Sequence, residues 1–180
     1  NGLNIALVSD AGLPCISDPG YLISKHVIEN GYNVVSLPGA SASLTALIAS
    51  GLPNEKFFFN GFLNSKQSQR IKQLNELVDR KETLIIYEAP HRILECVKDM
   101  ADVFGADRPV GFAREITKTF ETIKKMTLGE LVEFISNDSN QQKGEIVLVI
   151  GGASVEKDME QEKLDQLLTR LLQDLSVKAA

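Results

Sequence analysis

The stretch Asn4-Ile5-Ala6-Leu7-Val8-Ser9, continued by Asp10-Ala11-Gly12-Leu13-Pro14-Cys15-Ile16-Ser17-Asp18-Pro19-Gly20, decides how the fold is read. Its first half is an apolar run with β-branched residues that stops at Asp-Ala-Gly, as a buried parallel strand does before its loop. Apolar positions Leu22, Ile23, Val27 and Ile28 then predict a helix over Tyr21 to Asn30, with Gly31 placed as its C-terminal cap. Asn33 to Leu37 reads as a second strand, Pro38-Gly39 turns the chain, and Ser41 can cap a helix over Ala42 to Ser50 that Gly51-Leu52-Pro53 ends. This order, β-loop-α-β-turn-α, is the unit of a parallel α/β layer. A buried strand needs neighbours on both sides, so a further N-terminal portion ahead of Asn1 is expected.

Beyond Pro53 the alternation starts again, which places a domain boundary near Asn54. Strands are predicted at Phe57 to Phe62, Thr83 to Glu88, Val110 to Arg114, Glu121 to Lys125 and Glu145 to Ile150. Helices are predicted at Ser65 to Arg80, through Ile71, Leu74, Leu77 and Val78, at Pro90 to Phe104 and at Leu128 to Ile135. The fold class is therefore α/β: residues 1–53 form part of one α/β domain, 54–152 form a second with mixed strand directions, and 153–180 form a helical tail. In that tail Leu164, Leu167, Leu168, Leu171, Leu172 and Leu175 recur at helical spacing.

Composition narrows the function classes. With 180 residues and 43% hydrophobic content the chain can bury a substantial core. Its apolar runs fall far short of the ~20 residues that cross a bilayer, and no export signal opens it, so a cytoplasmic location is expected. Cys15 and Cys96 are far apart and outside any C-x-x-C arrangement, which leaves neither a disulfide framework nor a zinc site. The net charge of −5 argues against a surface dominated by phosphate contacts. Any basic footprint must be local, and Lys66 to Lys72 or the scattered Arg114, Lys118, Lys124 and Lys125 could supply one; each reads equally as a solvated face. The P-loop, the dinucleotide fingerprint, H-E-x-x-H and G-x-S-x-G are all missing, and with only His26 and His91 there is little room for histidine-based metal or triad chemistry.

What remains is a pair of strand-end loops, Ser9 to Gly20 and Leu37 to Ser43. In open α/β sheets ligands sit beyond the carboxyl ends of the strands. Glycine and alanine there let a ligand approach main-chain N–H and C=O groups, which can read an adenine or a carboxylate without phosphate-specific chemistry. The same residues also read structurally, Asp10 and Asp18 as turn formers and Ser41 as a helix cap.

SDAGLPCISDPG (9–20), LPGASASLTALIASGLP (37–53), TLIIYEAPHR (83–92), REITKTFET (114–122) and KGEIVLVIGG (143–152) stand in this order along the chain. Together they resemble the tetrapyrrole methylase superfamily, in the branch that methylates a ribose 2'-hydroxyl of a cytidine in small-subunit ribosomal RNA. The resemblance spans residues 1 to about 152. It implies a homodimer that binds S-adenosylmethionine between two α/β domains, with small-subunit ribosomal RNA as partner and neither metal nor membrane involved. Matched motif by motif, it implies that Ser9, Asp10, Ala11, Gly12, Leu13 and Ile16 line the cofactor and that Ser41 and Ala42 contact it through their backbone. Tyr87, Glu88, Ala113, Gly144, Glu145 and Ile146 would close over the adenosine.

His91, Arg92 and Arg114 would face the substrate, with Glu115 and Lys118 as catalytic residues, Glu115 as general base and Lys118 or Arg92 steering an RNA phosphate. Helix-end and strand-end salt bridging is the alternative reading of Arg92 and Arg114. Leu13 stands where the family has a threonine, which removes a side-chain hydroxyl contact but leaves the backbone path. The family's P-T-P-I-G-N-L strand and A-E-D-T-R region have no counterpart here, so the 180-residue chain alone is expected to bind cofactor weakly and to be inactive. Two rival readings stay open: a tetrapyrrole C-methyltransferase sharing the same cleft, and a non-catalytic nucleotide-binding or scaffold module.

Overall fold

The computed structural model describes residues 2–153 and Leu168. In chain order the elements are α1 (Tyr21–Glu29), α2 (Ala42–Ser50), β1 (Phe57–Phe62), α3 (Gln67–Leu77), β2 (Thr83–Glu88), α4 (Ile93–Phe104), β3 (Pro109–Arg114), β4 (Thr122–Thr127), α5 (Leu128–Asn137) and β5 (Ile146–Ile150). The strands form one five-stranded sheet in the order β1-β2-β5-β3-β4. β1 and β2 are parallel, and every other pairing is antiparallel. The mixed sheet expected for the second half is thus present, and the element boundaries move by a few residues at most, as helix and strand ends do.

Period-two alternation divides the core into two layers. Leu84 and Ile86 of β2, Phe112 of β3 and Leu148 of β5 point to one face, where they pack with Leu74, Ile93, Val97, Met100, Leu131 and Ile135 of α3, α4 and α5. Ile85, Ala113, Val147 and Val149 point to the other face and meet Ala46 and Leu47 of α2 together with Leu52. α2 can approach closely because β3 carries Gly111, where an added Cβ would lie 2.5 Å from the Ser50 Cβ.

Local chemistry sets the ends of these helices. The Ser41 hydroxyl caps α2 by accepting from the Leu44 N–H. Thr127 and Glu130 form a reciprocal capping box at the start of α5. Pro90 opens a 3₁₀ turn, Pro90–Arg92, that leads into α4 rather than forming its first α-helical turn.

Two predicted strands are corrected. Neither Asn4 to Ser9 nor Asn33 to Leu37 forms a strand, and neither joins the sheet. Ile5 is 94% exposed and Val35 80%. Apolar periodicity records what a segment would bury, whereas a strand exists only where a neighbour supplies ladder hydrogen bonds; among the described residues none does. The leucine-rich segment from Glu156 lies outside the described residues apart from Leu168.

α3 also departs from the expected pattern. Its buried stripe is Arg70, Leu74 and Leu77, while Ile71 lies at the surface. Arg70 is inside because Asp99 of α4 is there to meet it: Nε donates to Oδ2 at 2.7 Å, NH1 donates to the Ser65 carbonyl, and Gln67 donates to the second carboxylate oxygen at 2.9 Å. Of the basic residues in the run Lys66 to Lys72, Arg70 is thus withdrawn from the surface, while Lys66 and Lys72 stay exposed. Because loss of one partner strands a buried charge, Asp99→Ala should cost about 3–5 kcal/mol. Replacing both residues by apolar ones of similar size should recover most of that loss, as read by equilibrium urea denaturation of the three proteins.

Candidate functional site

The antiparallel entry of β5 between β2 and β3 gathers three chain segments at one edge of the sheet. Ile146, at the start of β5, pairs with Glu88 at the end of β2 and with Arg114 at the end of β3. The segments that follow β2 and β3, and the one that precedes β5, therefore lie side by side. The two glycine-bearing turns of the N-terminal part meet each other above them. A Cβ on Gly12 would sit 3.4 Å from the Ala40 carbonyl oxygen, and one on Gly39 would sit 2.9 Å from Leu13 Cδ2.

Between these turns and the sheet edge lies a cavity of about 480 Å³, within the size range of small-molecule sites. Ala11, Gly12, Leu13 and Ile16 line one side with Ser41 and Ala42, and Tyr87, Glu88, Gly144, Glu145 and Ile146 line the other. Lys118 contributes from the segment after β3.

Several expected residues stand elsewhere. Ser9 and Asp10 do not line the cavity; the Ser9 hydroxyl donates to the carbonyls of Ala11 and Gly12 and so shapes the turn from behind. Ala113 is buried against α2 in the second core layer. His91 is exposed and, like Arg92, is not a lining residue. Arg92 instead donates to the buried Glu88 carboxylate at 2.6 Å, so the salt-bridging alternative describes it.

Arg114 is buried, and its donors are all directed at the protein. Nε donates to Gln141 Oε1, NH1 to the Lys143 carbonyl, and NH2 to the Phe120 carbonyl and Thr122 hydroxyl. It clamps two loops together and presents no free guanidinium to a substrate.

Glu115 is likewise behind the cavity wall. Its Oε1 accepts from the Glu145 N–H at 2.8 Å and from Lys118 Nζ at 2.9 Å. The hydrogen bond from the Glu145 backbone, and next that from Lys118, hold its carboxyl below the usual glutamate range. These two bonds fasten Glu115 to the Gly144-Glu145 turn. Gly144 completes the fit: its φ is +81°, and an added Cβ would overlap the Glu115 carboxylate.

Further lining residues are Ser17 and Asp18 of the first strand-end loop, and Thr45, Phe62, Pro90 and Ile116, to which the sequence reading gave no ligand role. Phe62 is the instructive one. A β-bulge between Phe59 and Gly61, with Gly61 at φ +70°, puts Phe59 and Phe62 on the same side of the sheet. Both rings then meet Tyr87 edge-on, at centroid distances of 5.0 and 5.7 Å. Gly61 at a strand end was the available signal. Among the described residues, no group of three or more His, Cys, Asp or Glu side chains converges as a metal site, and no helix is long and apolar enough to cross a membrane.

The depressed Glu115 carboxyl has a pH consequence. Its stabilising contribution is present above the ordinary glutamate value of about 4.3 and is lost as pH falls through the lower folded-state value. The stability difference between the native chain and Glu115→Gln should therefore be constant from neutrality to mild acid and shrink below about pH 4.3. Urea midpoints measured across that range check this, and a difference that does not change with pH would contradict it.

Comparison with known proteins agrees with this architecture. Residues 1–132 match the sequence family described as Tetrapyrrole (Corrin/Porphyrin) Methylases. The chain is 49% identical over 182 aligned residues to a Vibrio cholerae protein named ribosomal RNA small subunit methyltransferase I; the match covers 100% of this chain and 63% of that protein. It is 47% identical to the Bacillus subtilis protein of the same name, across 94% of this chain and 57% of that one. The chain thus spans under two thirds of the length of these relatives. Among solved structures, the methyltransferase CobJ superposes with a TM-score of 0.58 at 18% identity, covering 79% of this chain and 62% of its own. A uroporphyrin-III-C-methyltransferase from Thermus thermophilus superposes with a TM-score of 0.56 at 16% identity, covering 78% and 60%. At such identities these two establish the fold alone. With most of its length matching the family's sequence pattern and its sheet superposing on methyltransferases of that class, the chain belongs to the tetrapyrrole (corrin/porphyrin) methylase family.

Proposed function

We propose that this chain forms the methyl-donor cleft of an S-adenosylmethionine-dependent methyltransferase that acts in the cytoplasm on a cytidine 2'-hydroxyl of small-subunit ribosomal RNA. The observation that carries the reading is the cavity itself, in which the Ala11–Leu13 turn and the Ala40–Ala42 turn face Tyr87–Pro90 and Gly144–Val147. The relatives' names supply the substrate class.

The residues present fit such a cofactor. Apolar walls from Leu13, Ile16, Phe62 and Tyr87 suit an adenosine, and main chain at Gly12 and Gly144 allows close approach. Glu88 is 2% exposed; its Oε1 accepts from the Ala89 N–H and from Arg92, and the Cys96 thiol lies against the same carboxylate. Asp18 lines the cavity with no hydrogen bond or ion pair among them. A carboxylate without a counter-charge complements a cationic ligand.

S-adenosylmethionine, when bound, supplies an electrophilic methyl on a sulfonium. The chain's own part is alignment and exclusion of water. The two turns and the aromatic wall hold a ligand against the sheet edge, and fixing the reacting partners in line is worth at most roughly 7–11 kcal/mol of barrier. Lys118 stands at the lip, its ammonium shared between Glu115 and Glu145, where it can meet an incoming phosphate. Glu115 holds the Gly144-Glu145 wall in place.

A tetrapyrrole C-methyltransferase is the second reading, suggested by the corrin/porphyrin description of the matched family. The two separate by substrate. Protein expressed from the complete gene should bind S-adenosylhomocysteine with saturable heat and transfer methyl groups to small ribosomal subunits, without perturbing a porphyrinoid absorbance band. No heat at millimolar ligand would mean a scaffold module instead. Ala42→Trp, which places bulk in the cavity wall, should weaken cofactor binding at least about tenfold, equivalent to about 1.4 kcal/mol, while leaving the thermal midpoint unchanged.

A further inference from the structure

The charged residues that line the cavity are Asp18, Glu88, Lys118 and Glu145, and the protein balances all of them but one. Glu88 accepts from Arg92 and from the Ala89 N–H. Glu145 holds Lys118 at 3.1 Å, and the same ammonium meets Glu115 at 2.9 Å. Asp18 has no hydrogen bond or ion pair among the described residues. The lining therefore carries excess negative charge, since Lys118 is already shared by two carboxylates and no cation stands beside Asp18.

The loop over residues 15–20 holds that side chain in place. Its two ends touch: an added Cβ at Gly20 would lie 2.7 Å from Cys15 Sγ. Cys15 is half-buried, with its Sγ 3.8 Å from the Ser24 hydroxyl of α1. Cys15 and Ser17 adopt positive φ, at +71° and +58°, conformations that a non-glycine residue keeps only when its surroundings enforce them. Ser17 reaches the sheet, where its Oγ stands 3.5 Å from the Cβ position of Gly61, the residue before Phe62 of the cavity wall. Asp18 follows directly. A constrained backbone thus displays, in the cavity lining, a carboxylate that forms no bond within the described protein.

We infer that Asp18 receives the α-ammonium of the methionine moiety of S-adenosylmethionine, and so selects the amino-acid end of the donor. The inference rests on the cofactor reading given above and deepens it. Charge decides among the groups that a carboxylate could meet there. An adenine amino group or a ribose hydroxyl is neutral and can be read by main chain or water, whereas an unbalanced negative charge gains most from a cation.

The donor holds two cationic centres, and the reaction separates them. Methyl transfer to oxygen turns the sulfonium into a neutral thioether, so a carboxylate placed on sulfur would hold the ground state more tightly than the transition state and slow the step. The ammonium keeps its charge from substrate to by-product. A carboxylate on it binds donor, transition state and by-product alike, which lowers KM and leaves kcat alone.

The test uses protein expressed from the complete gene and calorimetry with S-adenosylmethionine, S-adenosylhomocysteine and 5'-methylthioadenosine, which keeps the adenosine and the sulfur but lacks the amino acid. Asp18→Asn should weaken the first two by the same factor, about tenfold or more, and raise KM for the donor with kcat intact. Binding of 5'-methylthioadenosine and the thermal midpoint should not change. A loss confined to S-adenosylmethionine would overturn the inference by placing Asp18 at the sulfonium. An equal loss of 5'-methylthioadenosine would overturn it in favour of an adenosine contact, and a fall in kcat at unchanged affinity in favour of a role in the chemistry. Unchanged affinity and kcat throughout would overturn it while leaving the cofactor reading intact. No heat from S-adenosylhomocysteine on the native protein would overturn both readings together.

Discussion

The antiparallel insertion of β5 between β2 and β3 is the constraint on which the site depends. Because Ile146 pairs with both Glu88 and Arg114, the ends of two strands and the start of a third are forced to one edge. Had β5 run parallel to β2, the Gly144-Glu145 turn would lie at the opposite end of the sheet. The hydrogen bonds from the Glu145 backbone N–H and Lys118 to Glu115 then tie the segment after β3 to the segment before β5. One ladder and one carboxylate thus decide where a wall of the cavity stands.

Charge burial follows the same logic of fastening elements that share no backbone ladder. Arg70 and Asp99 join α3 to α4 on one face, and Arg92 reaches back from the turn before α4 to Glu88. Arg114 joins the loop at Phe120 to the turn at Gln141 and Lys143. Arg92 and Arg114 read from their motifs as substrate ligands, and both are paired within the protein. A buried guanidinium with several acceptors costs desolvation but fixes geometry, since its planar fork tolerates few arrangements. Cys96 lies in the same layer, fully buried, where burial and then the neighbouring Glu88 charge push its thiol well above the usual range, so it stays an inert packing group.

Much of the candidate site was legible through the family resemblance, with the two small-residue turns readable from the residues themselves. Ala11 to Leu13, Ser41, Ala42, Tyr87, Glu88 and Gly144 to Ile146 could be named from small residues at strand ends and from ordered motifs, and all of them line the cavity. Glu115 could not be judged the same way. From the sequence an acid beside a lysine reads as chemistry, and only the structure puts the Glu145 N–H on its carboxylate. Phe62 escaped for a different reason: the bulge at Gly61 moves it across the sheet, and strict alternation has no term for an extra residue.

What the sequence alone determined was local: the cap at Ser41, the helices and strands from Ala42 to Ile150 within a few residues, and the glycine-bearing turns beside which a ligand can lie. These are set by interactions between near neighbours, which spacing and residue type express directly. Tertiary structure decided the rest. It put Arg70 inside and Ile71 outside, and it directed the Arg114 fork inward. It also left Asn4 to Ser9 and Asn33 to Leu37 outside the sheet despite their apolar runs. The physical reason is common to all of these: a strand or a buried charge exists only where a partner distant in sequence meets it, and the residue itself does not encode that the partner is there.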